Sequence, residues 1–130
     1  MARVIALDAS ALIAHLDPGD PHHDAATEVL LAGTPGRMLV HTITLAEVLV
    51  GGVRTGQGAS MRDDLRAAGI TVAPHDDGEP LRLAELRATT GLKLPDCCVL
   101  DVAIRHHASL ATFDSALAAE ATRRGVSVHA

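Results

Sequence analysis

Aromatic residues are almost absent from this chain: Phe113 is the only one among 130 residues, and there is neither Trp nor Tyr. Proteins that hold single-stranded nucleic acid without sequence preference stack bases on aromatic side chains. That mode of binding is therefore excluded. Because 48% of the residues are hydrophobic, the core has to be built from aliphatic side chains, mainly those of Ala, Leu and Val.

Positive charge is also scarce. Lys93 is the only lysine, and 11 basic residues face 16 acidic ones, which gives a net charge of −5. A protein that grips nucleic acid through a broad basic face releases many counterions and needs an excess of Lys and Arg. The composition argues against such a protein, but it is compatible with an enzyme that meets nucleic acid briefly through bridging metal ions.

Long hydrophobic runs and separated cysteine pairs are missing as well. No apolar stretch approaches the roughly 20 residues that a membrane span requires, and the first residues do not form a signal peptide. The two cysteines, Cys97 and Cys98, are neighbours in a predicted helix. Their side chains should point in different directions, so we expect no mutual disulfide. These features predict a cytoplasmic protein with no membrane partner.

Short apolar runs alternate with helical patterns along the whole chain. Strands are predicted at residues 4–7, 37–41, 70–73, 110–112 and 126–128. Helices are predicted at residues 10–16, 21–31, 42–50, 55–68, 80–90, 95–107 and 115–124. This alternation predicts an α/β fold in which a parallel central sheet of about four to five strands is covered by helices on both faces. We expect a single domain over residues 1–130.

Four acidic residues lie at the joints of this pattern, where a strand ends or a helix begins: Asp8, Glu47, Asp96 and Asp114. In open α/β folds, ligands bind at the carboxyl edge of the sheet. Carboxylates brought together there would repel one another, and a divalent cation relieves that repulsion. Mg²⁺ and Mn²⁺ take oxygen ligands and promote attack of water on a phosphodiester. The four acids therefore predict a site for one or two of these ions.

Each acid also has a simpler interpretation. Asp8 and Asp114 could cap the helices that follow them, and Asp96 could interact with the dipole of its helix, an effect typically below about 1 kcal/mol. Glu47 could belong to a capping box that begins at Thr44. If Thr42 is the cap instead, Glu47 lies inside the helix and is free for another role.

Several other polar residues stand near the four acids in the sequence. Ser10 and Thr112 each lie two residues from one of these aspartates, so either could orient a ligand or a water molecule. Asp101 follows Asp96 by five residues and should point to a different face of the helix. The eight histidines form no HExxH or Cys/His zinc pattern, and we interpret most of them as surface residues or supporting residues.

These segments resemble the PIN domain, and more closely the VapC toxins of bacterial toxin–antitoxin pairs. The resemblance is carried, in order, by residues 5–12 (IALDASAL), 44–48 (TLAEV), 94–96 (LPD) and 110–114 (LATFD). It runs nearly from end to end of the chain. Where the family commonly has small apolar residues, this chain has Cys97, Cys98 and Asp101, which makes Asp101 an additional acid with a supporting role at most.

The resemblance implies a Mg²⁺- or Mn²⁺-dependent endoribonuclease that acts as a homodimer and is blocked by a cognate antitoxin. Asp8, Asp96 and Asp114 would hold the metal directly or through water, and Glu47 would complete the site or orient the attacking water. In-line hydrolysis would leave a 5′-phosphate and a 3′-hydroxyl on the RNA. The apolar helix around residues 43–50 could supply part of the antitoxin surface, although ordinary core packing is the alternative.

Two other functions are compatible with this length and fold class. A phosphoacceptor receiver domain needs an acidic pair after its first strand and a lysine after its last, whereas Asp8 stands alone and no lysine follows the last strands. A PIN-like module that only binds a protein partner is the remaining alternative. The complete set of four acids favours the enzyme over that module.

Overall fold

The structure is a computed structural model that describes residues 3–33 and 37–129. Its strands are β1 (Ile5–Leu7), β2 (Met38–Val40), β3 (Ile70–Val72), β4 (Ser109–Ala111) and β5 (Val128–His129). They form one five-stranded sheet in the order β3-β2-β1-β4-β5. Every neighbouring pair is parallel, which confirms the predicted parallel sheet.

Helices connect the strands over the described residues. They are α1 (Ala9–Leu16), α2 (His23–Ala32), α3 (Thr42–Arg54), α4 (Gly58–Ala67), α5 (Glu79–Thr90), α6 (Leu94–Arg105) and α7 (Ser115–Arg123). Crossover helices between parallel strands place their apolar faces on the sheet. None of these helices is long and apolar enough to cross a membrane.

The sheet is buried on both faces, and each face has its own core. Leu12 of α1 and Val48 of α3 belong to the core on one face, to which β1 contributes Ile5 and Leu7. The other core gathers side chains of α5, α6 and α7 around Ala6. Alternate residues of a strand point to opposite faces, so the run of apolar residues in β1 serves both cores. Helices therefore cover both faces, as predicted.

Helix α6 is the most deeply buried of these helices. All seven residues from Cys97 to Ala103 are buried, including the charged residue Asp101. Both cysteines are free thiols, in agreement with the expectation that they form no mutual disulfide. Burial raises the pKa of the Cys98 thiol to about 11, helped by the negative charge of Glu79, so this thiol is protonated and behaves as a small apolar side chain.

Two predicted helix starts are wrong. The helix predicted from residue 21 begins at His23, because Asp20 accepts a hydrogen bond from the backbone N–H of His22 (2.8 Å) and forms a turn ahead of the helix. The helix predicted from residue 55 begins at Gly58. There, the backbone N–H of Gln57 donates to the carbonyl of Gly52 at 2.7 Å and closes the preceding turn. The remaining strand and helix limits differ from the prediction by no more than a few residues, which is common at frayed ends.

The predicted helix end at Gly51-Gly52 is also wrong, because α3 continues through both glycines to Arg54. A Cβ atom on Gly52 would lie 3.1 Å from Cε of Met61 and 3.4 Å from Cα of Gly58. Gly52 therefore lets α3 and α4 pack closely. Gly51 is exposed, and a Cβ atom there would meet nothing within 4 Å.

The two glycines form a matched pair for substitution. Gly51→Ala should stabilise the protein by roughly 0.5–1 kcal/mol, because alanine loses less backbone entropy than glycine inside a helix. Gly52→Ala should lack that gain, because its methyl group crowds Met61. Thermal unfolding should show a rise of about 2–5 °C for Gly51→Ala alone. Equal rises for the two variants would contradict the close packing of α3 on α4.

Candidate metal centre

The order of the strands places a crevice between β1 and β4. The chain leaves β1 towards β2 and β3 on one side, and returns to β4 and β5 on the other side. Ligands of open α/β sheets bind at such a point, outside the carboxyl ends of the strands. Asp8 follows β1 here, and Thr112 follows β4.

Asp8 is buried and is held across this crevice by two hydroxyl groups. Ser10 donates a hydrogen bond to Oδ2 of Asp8 at 2.8 Å, and Thr112 donates to the same oxygen at 2.7 Å. Asp8 occupies the cap position of α1, but its side chain makes no capping hydrogen bond. The capping interpretation of Asp8 is therefore wrong as far as its side chain is concerned.

Backbone groups fix the direction of both hydroxyl protons. The N–H of Phe113 donates to Oγ of Ser10, and the N–H of Asp114 donates to Oγ1 of Thr112, both at 3.0 Å. Each hydroxyl accepts from the backbone and turns its single proton towards Oδ2 of Asp8. No hydrogen bond among the described residues reaches Oδ1 of Asp8, so this oxygen has its lone pairs available.

Asp114 caps α7, as the simpler interpretation proposed. Its Oδ1 atom accepts a hydrogen bond from the backbone N–H of Leu117 at 2.9 Å. The cap uses one oxygen of the carboxylate and holds the exposed side chain in place. The other oxygen takes no hydrogen bond from the described part of the chain.

Glu47 does not belong to a capping box. The cap of α3 is His41, whose Nδ1 atom accepts from the backbone N–H of Ile43 at 3.0 Å. Neither Thr42 nor Thr44 caps the helix, since both lie within it. Glu47 is therefore an exposed residue inside α3, and the capping interpretation is wrong.

The pKa of Asp96 responds to the charges of the other three acids. It lies in the first turn of α6, close to Lys93. Its pKa is raised first by burial and then by the negative charges of Asp114, Asp8 and Glu47, in that order, while Lys93 acts in the opposite direction. The other three carboxylates that the sequence singles out are thus near enough to Asp96 to disfavour its charged form.

Removing one of these charges should stabilise the metal-free protein. A raised pKa means that the folded state holds the Asp96 proton more tightly than the unfolded chain does. The charged Asp96 carboxylate therefore lowers the free energy of unfolding at a pH above that pKa. This destabilisation disappears as the pH falls through the pKa and the carboxylate takes up its proton. Asp96→Asn should raise the melting temperature at neutral pH in EDTA, and the difference from wild type should shrink in acid. A lower melting temperature of this variant at neutral pH would contradict the repulsion.

Asp101, whose role the sequence leaves unexplained, has its own partner outside the four acids. Both of its oxygens are bound by the guanidinium of Arg82, with Nε at 2.9 Å and Nη2 at 3.2 Å. Arg82 also contacts Asp76 at 3.0 Å. Asp101 therefore neutralises an arginine between α5 and α6.

A second group of polar side chains escaped the sequence analysis. His41, His75 and Glu79 each offer a nitrogen or carboxylate oxygen, and these atoms all lie within 4.8 Å of one another. Among the described residues this is the one trio of His, Cys, Asp or Glu that meets this limit. The three residues come from separate segments, and only the spacing from His75 to Glu79 resembles one helical turn. From the sequence alone, His41 and His75 are interpreted like most of the histidines, as surface or supporting residues.

The fold and the position of the acids agree with a family match. Residues 5–121 match the model of the PIN domain family, and the chain belongs to this family. The resemblance found in the sequence is thereby confirmed. A comparison with curated protein sequences gave no match.

Solved structures of toxin–antitoxin proteins have a similar fold. A toxin–antitoxin complex from Klebsiella pneumoniae is 28% identical, with a TM-score of 0.70 over 86% of this chain and 87% of the other. VapC20 from Mycobacterium tuberculosis, a sarcin–ricin loop cleaving toxin, is 19% identical, with a TM-score of 0.72 over 89% and 94%. VapBC2 from Rickettsia felis, bound to a promoter DNA fragment, is 15% identical, with a TM-score of 0.66 over 96% of each chain.

Proposed function

We propose that this protein is a metal-dependent endoribonuclease that acts as the toxin of a toxin–antitoxin pair. The observation that carries the proposal is the position of Asp8, fixed by two hydroxyls at the point where the sheet reverses its strand order. The proposal is supported by the negative charges of Asp114, Asp8 and Glu47, which raise the pKa of Asp96 after burial does. Membership of the PIN domain family agrees with a nuclease.

The donor set fits Mg²⁺ or Mn²⁺. All four side chains offer carboxylate oxygens, the ligands that these hard cations prefer. A cation would relieve the repulsion that the other three acids exert on the charge of Asp96. Asp8, Asp96 and Asp114 would hold one or two ions. A bound divalent cation lowers the pKa of water and stabilises the charge that develops on a phosphate.

The protein's own residues position the reacting groups. Ser10 and Thr112 hold Oδ2 of Asp8, which leaves Oδ1 as the acceptor that would bind a metal ion. Glu47, exposed on α3, would complete the metal site or orient the attacking water. Attack in line with the leaving oxygen breaks the phosphodiester, and the products carry a 5′-phosphate and a 3′-hydroxyl.

An antitoxin is the protein partner that we propose. The similar structure from Klebsiella pneumoniae is a toxin–antitoxin complex. In this chain, Ile43, Val50 and Val53 of α3 are exposed by 45%, 44% and 66%. Such side chains offer apolar surface to a partner on the helix that also carries Glu47. We also propose a cytoplasmic homodimer with one domain over residues 1–130.

Cleavage of a structured RNA pool tests the proposal. Purified protein free of antitoxin should cut tRNA or ribosomal RNA at discrete positions in Mn²⁺ or Mg²⁺, and EDTA should stop it. End analysis should find 5′-phosphates. A 2′,3′-cyclic phosphate would contradict the mechanism, because it would mean that the RNA's own hydroxyl attacks. No cleavage by protein that binds metal would favour a binding module.

A further inference from the structure

The trio of His41, His75 and Glu79 lies at the carboxyl edge of the sheet, beside β2 and β3. Nε2 of His41 is 2.7 Å from Oε1 of Glu79, and Nδ1 of His75 is 2.7 Å from Oε2 of the same carboxylate. His41 and Glu79 are buried, whereas the side chain of His75 is 50% exposed. Two imidazoles thus converge on one buried carboxylate that is open to solvent on a single side.

We propose that these three residues form a zinc site, distinct from the acidic crevice. Two histidines and one glutamate are the protein ligands of several zinc enzymes, in which water takes the fourth position. Imidazole nitrogens favour zinc and its transition-metal neighbours, whereas Mg²⁺ takes oxygen ligands. The trio and the crevice therefore select different cations. The open side at His75 gives a water molecule access to the fourth position.

The surroundings of His75 suit a metal ligand. Histidines that bind metal through one ring nitrogen almost always donate the N–H of the other to an oxygen atom. If Nδ1 of His75 binds zinc, its Nε2–H can donate to Oγ1 of Thr42, which lies 3.0 Å away. Thr42 is the first residue of α3, so this contact holds the ring against a fixed element.

His41 limits the affinity of the site. Its Nδ1 atom accepts a hydrogen bond from the backbone N–H of Ile43, so Nε2 carries the proton in the metal-free protein and donates it to Glu79. A neutral imidazole that binds zinc through Nε2 carries its proton on Nδ1. That proton would point at the N–H of Ile43, so Nδ1 could no longer accept the hydrogen bond. Losing this hydrogen bond should weaken binding by about tenfold to a hundredfold. We therefore expect a site weaker than the four-ligand structural zinc sites.

Zinc would join three separate parts of the chain: the end of β2 at His41, the loop after β3 at His75, and the start of α5 at Glu79. Because the unfolded chain does not bring these ligands together, binding favours the folded state. The proposal stands independently of nuclease activity, since none of the three ligands belongs to the acidic crevice.

The test is a zinc titration of the full chain, prepared without a histidine tag, in competition with a chromophoric zinc indicator. Wild type should bind one zinc ion per chain, and its melting temperature should rise with zinc. His75→Gln and Glu79→Gln should lose both effects. His107→Gln is the matched control, because His107 is exposed and lies outside the trio. Co²⁺ should give the visible absorption of a tetrahedral site in wild type and in His107→Gln, but not in the two trio variants.

The crevice needs a control of its own, because its carboxylates could also take zinc. Asp8→Asn should keep the zinc ion whose binding depends on His75 and Glu79. If it loses zinc while His75→Gln keeps it, the zinc site is the crevice and the proposal is wrong. Equal binding by wild type and both trio variants would likewise overturn it. Since His75 is half-exposed, its variant should fold, and circular dichroism checks this.

Discussion

Asp8→Asn should lower the rate of RNA cleavage by about a thousandfold or more, while leaving the fold unchanged. Metal ions supply several kcal/mol of transition-state stabilisation, and each 1.4 kcal/mol or so corresponds to about tenfold in rate. The amide has nearly the size of the carboxylate and its oxygen can still accept from Ser10 and Thr112. What disappears is the negative charge of the carboxylate and its second acceptor, because the amide nitrogen takes the place of Oδ1.

Single-turnover cleavage with saturating protein measures this loss without contributions from product release. Asp24→Asn is the matched control, because Asp24 is an exposed carboxylate on α2 and is not one of the four acids. The control should cleave at the wild-type rate. An active Asp8→Asn protein would remove Asp8 from the site and, with it, the proposed arrangement of the metal ligands.

Thr112→Val should impair both stability and cleavage, because the Thr112 hydroxyl joins two of the proposed metal ligands. It donates to Oδ2 of Asp8 at 2.7 Å and accepts from the backbone N–H of Asp114 at 3.0 Å. Valine keeps the shape of threonine but leaves both partners without their hydrogen bond. We expect destabilisation by about 1–3 kcal/mol and a loss of about tenfold to a hundredfold in metal affinity or activity.

The dependence of the cleavage rate on Mn²⁺ concentration distinguishes a role of Thr112 in orienting Asp8 from a general effect on the stability of the fold. In Thr112→Val the half-saturating Mn²⁺ concentration should rise, because Asp8 is less well oriented. Thr112→Ser keeps the hydroxyl and should restore most of the wild-type behaviour. If Thr112→Val were destabilised but saturated at the wild-type Mn²⁺ concentration, Thr112 would support the fold without orienting the metal ligand.

The sequence predicted those features that depend on local pattern and on the rules of parallel sheets. The apolar run ending at Asp8 indicated a buried strand, and the alternation of elements predicted the sheet and the helices on both faces. Because carboxyl ends of parallel strands share one edge, residues far apart in sequence could be assigned to one crevice. The electrostatic effect of Asp8, Glu47 and Asp114 on Asp96 agrees with that placement.

Features that depend on side-chain contacts between elements could not be predicted. Gly52 looked like a helix end, because only the packed neighbour Met61 shows that a close approach requires glycine there. The sequence shows no partner for Asp101, because its partner Arg82 lies on another helix, α5, and meets it only in the folded structure.

The prediction of the residue that caps α3 was wrong for a related reason. Capping rules favour Ser, Thr, Asp and Asn, so they do not indicate His41 as the cap of α3. Its ring nitrogen nevertheless accepts the hydrogen bond from the backbone N–H of Ile43. The same ring reaches Glu79 on its other side. A contact of this kind joins residues 38 positions apart, and no spacing rule anticipates it.

The most direct measurement of the central claim follows Mn²⁺ binding and RNA cleavage in the same protein. Mn²⁺ occupancy can be read by electron paramagnetic resonance, and the single-turnover rate on a mapped RNA substrate by gel analysis. The account predicts that both saturate at the same Mn²⁺ concentration, and that Asp8→Asn loses both while its fold persists. Cleavage that continues in EDTA, or Mn²⁺ binding and cleavage that are unchanged in Asp8→Asn, would contradict a metal-dependent nuclease site at this crevice.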